Sequence, residues 1–178
     1  MSPEILKVVI PAVIVLIVAL IAGFYIIRFM RGSIKMTLTK NAFSQGEQVT
    51  GSFELLTRKE IDGSRLFVSL IGKEVTRERH GEKTRTRTRE IYRDEVTVEE
   101  AKIFAAGATA NYDFELATPS SSGPDLLDST LGKTLKVGME LLGGRRTHLQ
   151  WMVEARLDAK GVDLTAQKKI TLNMAKMI

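Results

Sequence analysis

From Ser33 onward the hydrophobic residues recur with a period of two, and this confines most of the chain to β-structure. In IKMTL, residues Ile34, Met36 and Leu38 share one side. EQVTGSFEL sets Val49, Phe53 and Leu55 against Thr50, Ser52 and Glu54, and NYDFEL sets Tyr112, Phe114 and Leu116 against Asn111, Asp113 and Glu115. LQWMVEARLD places Leu149, Trp151, Val153, Ala155 and Leu157 opposite Gln150, Glu154, Arg156 and Asp158. VDLTAQKKITLNM does the same with Val162, Leu164, Ala166, Ile170 and Leu172. Strands send alternate side chains to opposite faces, so each segment has one face for a core and one for water. SQGE, IDGS, HGE, AAGA and AKG supply turn signals between them. Many strands and almost no helix predict an antiparallel β-sandwich.

The first 31 residues follow another rule. Val8 to Ile27, VVIPAVIVLIVALIAGFYII, contains no charged residue. About 20 apolar residues suffice to cross the roughly 30 Å hydrocarbon core of a bilayer. The run is too long for a cleaved signal peptide, and GFYIIRFMR follows it instead of a cleavage pattern. Residues 1–31 are therefore expected to be a single-pass transmembrane anchor with its flanks, embedded through residues 8–27, and residues 32–178 the sandwich. Phe24, Tyr25 and Phe29 are placed for the headgroup level. Lys7 alone precedes the run, whereas Arg28, Arg31, Lys35 and Lys40 follow it. The positive-inside bias then puts the anchor in the cell membrane with the C-terminal domain in the cytoplasm.

One segment breaks the alternation. Within 120–146, Leu127, Leu131, Leu135, Met139 and Leu142 recur at helical spacing. A short amphipathic helix is expected, weakened by Gly132 and Gly138 at about 1 kcal/mol each. It suits a cover for one end of the sandwich, or an apolar face for a membrane or a partner.

The other irregularity is a comb of cations. GEKTRTRTRE puts Lys83, Arg85, Arg87 and Arg89 on one strand face and Thr84, Thr86 and Thr88 on the other. If His80 and Gly81 form a two-residue hairpin loop, Glu78 faces Lys83, Thr76 faces Arg85 and Glu74 faces Arg87. Arg89 then faces Gly72, so Arg85 and Arg89 stand opposite no charge. Such a row fits an anion-binding rail for phosphorylated tails, acidic partners or anionic lipid headgroups. It equally fits a solubilising face that blunts an edge against aggregation.

Catalytic chemistry is not legible. The 178 residues include no cysteine and two histidines, His80 and His148. That excludes thiolate sites and disulfides, and no His/Cys/carboxylate cluster has metal spacing. No glycine loop with a following lysine cradles phosphate, and Ser120, Ser121 and Ser122 lack a partnered base. The formal net charge of +5 is modest, and the comb lacks the interleaved aromatics of a nucleic-acid surface. The expectation is a non-enzyme without cofactor or metal and with no nucleic-acid partner.

In order along the chain, four segments resemble the N-terminal half of an arrestin-type fold. LTKNAFSQGEQVTGSFEL is similar to that family's opening, with a Gly46-Glu47 turn and Gly51 in the next strand. SRLFVSLIGKEV resembles its following strand with an Ile71-Gly72 step. FAAGATANYDFELATPSSS resembles the run from a glycine through an aromatic strand to a Pro119-Ser120 turn. LQWMVEARLDAKGVDLTAQKKITL resembles the closing hairpin, with Trp151 where an aromatic is usual. The resemblance implies an immunoglobulin-like or arrestin-like sandwich and a class of non-enzymatic adaptors and scaffolds at membranes. Arrestins have two such sandwiches and no span, so their two-domain grip does not transfer. Gly46 fits a turn with positive φ, and Gly51 and Gly72 fit bulges or close backbone approaches. Two functions follow. One is a membrane-tethered scaffold or adaptor that binds a protein partner. The other is an accessory subunit of a larger membrane complex, packed through Ala12, Ala19, Ala22 and Gly23 of the span.

Overall fold

A computed structural model describes residues 3–80, 83–119 and 145–173. For residues 3–9, 24, 26–28, 79, 80, 83, 145 and 146 it describes the backbone alone. The order is α1 (Pro3–Arg31), β1 (Gly32–Leu38), β2 (Ala42–Ser44), β3 (Gln48–Thr57), β4 (Ile61–His80), β5 (Lys83–Glu99), β6 (Lys102–Phe104), β7 (Thr109–Ala117), β8 (Arg145–Ala159) and β9 (Leu164–Asn173).

The strands form two sheets. One has the order β1-β3-β7 and the other β2-β9-β8-β4-β5, with β6 paired to β4. The alternation decides which side chains lie between them. Ile34, Met36 and Leu38, Val49, Phe53 and Leu55, and Phe114 and Leu116 are buried from the smaller sheet. Leu66, Val68 and Leu70 meet them from β4, and Trp151, Val153, Ala155 and Leu157 from β8. Gly46 has φ +78°, as its turn requires. Gly51 and Gly72 do not have positive φ. They are close approaches: a Cβ on Gly72 would lie 2.6 Å from Trp151 Cζ3.

Four sequence expectations are corrected. The sandwich is not wholly antiparallel, since β2 runs parallel to β9. IDGS is not a turn: Ile61 to Ser64 open β4, and Gly63 sits at a register shift where a Cβ would meet Phe104 and Leu157. Arg145 and Arg146 belong to β8 and not to a helical insert. The helix expected within 120–146 otherwise lies outside the described residues. The fourth is the register of the hairpin that carries the comb.

β4 is buried on both faces from Leu66 to Ile71. The outward row is covered by long polar side chains lying flat, as amphipathic stems do. The Arg65 guanidinium lies 4.1 Å from the Phe67 ring centroid and pairs with Glu95 at 2.7 Å. Ser69 Oγ donates to Glu95 at 3.0 Å.

α1 runs into β1 without a linker. Arg31 O accepts from the N–H of Arg58 at 2.8 Å and of Lys59 at 3.3 Å, and Arg31 Nη1 donates to Lys160 O at 2.6 Å. Arg58 stacks on the Phe29 ring at 3.9 Å and donates to Phe29 O. This joint, with the β3–β4 and β8–β9 turns, is the base of the molecule. Among the described residues no helix is long and apolar enough to cross a membrane. In α1 the continuous run of described side chains is 10–23, about 21 Å of helix. The span expected over 8–27 extends beyond it at both ends.

Candidate functional site

Above Gly72 the smaller sheet, β1-β3-β7, stops. Ala117 ends β7 beside β5, where Tyr92 Oη donates to Ala117 O at 2.8 Å and Ala117 N–H donates to Asp94 Oδ2 at 2.6 Å. Trp151, 4% exposed, closes the core at this level, with the Tyr92 ring 5.6 Å away. Beyond it β8, β4 and β5 continue as a three-stranded arm made of residues 145–150, 73–80 and 83–90. Three strands suffice to hold a sheet that a lone hairpin would not. Val75 and Thr76 on the central strand stay buried under their neighbours, and Thr76 Oγ1 lies 3.3 Å from Thr147 Oγ1.

The comb sits on this arm. Thr84 to Glu90 are all exposed, on both faces. The inner face of the sandwich continues here as Glu74, Thr76 and Glu78 between Arg89, Arg87 and Arg85 on one side and Leu149, Thr147 and Arg145 on the other. The register corrects the expectation. His80 pairs with Lys83, so the connection is residues 81–82, one position later than read from the sequence. Arg85 therefore faces Glu78, Arg87 faces Thr76 and Arg89 faces Glu74. Arg89 Nη2 lies 3.1 Å from Glu74 Oε2, and among the described residues it is the one comb side chain in a salt bridge. Arg85 and Arg89, expected to stand opposite no charge, are the two that face a glutamate. Arg87 is the least cancelled of the described three, and Lys83 faces a histidine. The sequence gets the parity of the faces right and the position of the turn wrong.

The sequence reading also misses cations on the neighbouring strands. Lys73 and Arg77 lie on β4, and Arg145 and Arg146 open β8. Residues 73–90 and 145–150 together hold nine Lys and Arg against four Glu, which equals the whole chain's formal +5. The signal is present in TRERH and GGRR, but by sequence GGRR reads as part of an insert. At the foot of the arm Arg93 pairs with Glu90 at 2.8 Å. That hydrogen bond holds the Glu90 carboxyl below its ordinary value and raises the Arg93 guanidinium.

Base and tip are far apart. Gly63 pairs with Ala159 beside the joint, and Glu74 to Glu78 lie 11 to 15 residues further along β4. At about 3.3 Å per residue the comb stands roughly 35–50 Å of strand from the joint.

Among the described residues no three His, Cys, Asp or Glu side chains group to hold a metal. An open depression of about 630 Å³ over Gly51 has only Asp113 and Glu115 as ionisable lining, both exposed. A notch of about 280 Å³ at the joint is lined by Tyr25, Phe29, Gly32, Ile34 and Leu164 among others.

No family model matches the chain, and no curated protein does. Among solved structures it is similar to Spo0M, a sporulation control protein from Bacillus subtilis, with a TM-score of 0.54 and 14% identity. The match covers 80% of this chain and 49% of that one, so the chain spans about half the length of Spo0M. The likeness supports an arrestin-like, all-β fold.

Proposed function

We propose, with the arrestin-like fold as premise, that the chain is a membrane-tethered, non-enzymatic scaffold or adaptor that presents the cationic arm to a protein partner. The observation that carries this is the separation of base and tip. α1 enters at one end, and the nine cations of the arm stand at the other. Exposed charges are screened beyond about 8 Å at physiological ionic strength. A comb roughly 35–50 Å of strand from the joint is therefore badly placed for the headgroups of a membrane entered by α1. It is well placed for a protein approaching from the aqueous side.

The tether rests on α1. Its 29 residues make about 44 Å of helix, and the apolar side chains from Ile10 to Ile21 lie bare on every side, Val15 at 67% and Leu20 at 66% exposed. A helix apolar all round is at home in lipid or in a protein core, and the sandwich does not cover it. Arg31, Arg58 and Lys59 cluster at the joint, which suits the cytoplasmic surface. The non-enzymatic reading rests on the sequence, with no cysteine and no phosphate loop.

The test is site-directed photocrosslinking of the full chain in its native membrane, after an alkaline carbonate wash. The expected result is retention in the membrane pellet and a discrete protein adduct from position 86. Release by carbonate would sink the tether. Adducts confined to positions 12, 19 and 22, to a membrane protein in fixed stoichiometry, would favour the accessory-subunit reading instead.

A further inference from the structure

β5 ends the sheet order β2-β9-β8-β4-β5, so among the described residues one of its edges has no partner strand. Its lower half is sheltered, because Tyr92 and Asp94 are tied to Ala117 of β7. From Glu90 to Thr84 no described strand covers the edge, and the side chains on both faces are exposed. We propose that this edge of β5, between Thr84 and Glu90, receives an extended acidic segment of a partner protein as an added strand, with carboxylates at every second residue. The inference rests on the arm's being the partner-binding end.

The backbone supplies the affinity. In a strand, the N–H and C=O of one residue point to one edge and those of the next to the other. Either the arginines 85, 87 and 89 or the threonines 84, 86 and 88 therefore offer their groups outward. An added strand meets them as in other strand-addition complexes. The side chains supply the specificity. Residues directly opposite across a pair share a face at about 5 Å. An incoming strand with Glu or Asp at alternate positions puts all its carboxylates beside the three arginines. The same carboxylates in adjacent pairs would put half of them on the threonine face.

The charge row also argues against a second copy of this chain. When two β5 edges pair with their cation rows on one face, arginine faces arginine, and directly opposed like charges are destabilising. Residues 120–144 leave the described chain at Pro119 and rejoin it at Arg145, opposite Glu78. They carry Asp125, Asp128 and Glu140, no two of which stand two residues apart, so the required period is missing.

Fluorescence anisotropy on the full chain in detergent micelles tests this with three kinds of peptide. One alternates Glu and Val over nine residues. A second has the same composition with the glutamates in adjacent pairs. Two more carry N-methyl groups on the amides of either the glutamates or the valines. The alternating peptide should bind at least about tenfold more tightly than the paired one and weaken with salt. The Arg85→Gln/Arg87→Gln variant should remove that difference, and one N-methylated peptide should lose binding while the other keeps it. Equal binding of the alternating and paired peptides, or indifference to both methylations, overturns the strand geometry. Binding that appears only when residues 125–142 are deleted assigns the edge to the chain's own segment and overturns the proposal too. So does Arg87-dependent binding to phosphatidylserine vesicles with no binding of any peptide. A crosslinked protein partner at position 86 alongside such a negative would leave the adaptor reading standing and refute only this inference.

Discussion

Residues 66–71 and residues 73–80 belong to one strand, β4, yet they live under different rules. In the lower half both faces are buried, inward against the facing sheet and outward under Arg65 and Glu95. In the upper half, among the described side chains, only Val75 and Thr76 are buried, and the neighbouring β5 is exposed residue by residue from Thr84 to Glu90. Gly72 and Trp151 mark the change. The lower half is what packing demands. The upper half buries too little apolar surface to be explained by packing, and its residues combine threonines, which favour strands, with a concentrated charge. A stretch that the fold does not need for its core is where partner contacts are to be sought.

The sharpest way to break this comparison is to remove its boundary. Trp151 is 4% exposed and sits between Gly72 and Tyr92. Trp151→Ala should destabilise the sandwich by about 3–5 kcal/mol, as truncated buried aromatics do. Urea unfolding of the full chain in detergent, followed by far-ultraviolet circular dichroism, measures it. A loss well below that range would mean that core and arm are not divided here.

Gly72→Ala attacks the same boundary from the other strand. Its Cβ would come within 2.6 Å of the Trp151 ring, and overpacking of this kind costs about 1–3 kcal/mol. Thr86→Ala, in the arm, should stay within about 0.5 kcal/mol in the same melt. Similar costs for the two would erase the contrast between the halves.

The difference between the halves also explains what the sequence reveals. Every inward position of Ile34–Leu38, Val49–Leu55 and Trp151–Leu157 is legible, because a one-residue slip would turn those side chains into water. No such penalty guards the arm. A two-residue shift between Glu78 and its partner keeps all faces intact, so charge pattern alone could not say whether Lys83 or Arg85 lies opposite. GGRR is easily misread because strand Arg145–Gln150 has only Leu149 to mark an inner face. Joint contacts such as Arg58 on Phe29 link residues 29 apart through backbone acceptors, and no local pattern announces them.

The core beside the lower half should also be sensitive to alkali. Burial, and then the adjacent Glu99 carboxylate, push the Tyr112 phenol up to about 12. Its hydroxyl donates to Glu99 Oε1 at 3.2 Å, and its ring stacks on Phe53 at 5.2 Å. The folded state therefore favours the neutral phenol over its ordinary value near 10. The stabilisation is fully present below pH 10 and is lost as the pH climbs from 10 toward 12. Tyr92 is raised in the same direction by its burial and by Asp94. Tyr112→Phe should flatten part of the alkaline fall in the unfolding midpoint, and the tyrosinate absorbance should lose its latest-titrating step. An unchanged fall would remove Tyr112 from the set of groups that couple the core to pH.

The smallest expected effect separates two cations that a sequence cannot distinguish. Arg87 and Arg89 stand two residues apart on one exposed face, and both would count as solvated charges. The register puts Thr76 opposite Arg87 and Glu74 opposite Arg89, the latter at 3.1 Å. Arg89 is exposed and Glu74 half-buried, and a surface pair of this kind contributes about 0.2–1 kcal/mol, because two long side chains are ordered in a screened medium. Arg89→Gln should therefore cost a few tenths of a kcal/mol, about as much as Glu74→Gln. The double variant should cost little more than either single, since the pair can be lost only once. Arg87→Gln should leave stability unchanged in the same melts. Had the register been the one read from the sequence, Arg87 and Glu74 would form the coupled pair and Arg89 would be the silent residue. A double-mutant cycle that finds coupling between Glu74 and Arg87, and none between Glu74 and Arg89, would restore that register. It would also move the bare cations from Arg87 to Arg85 and Arg89.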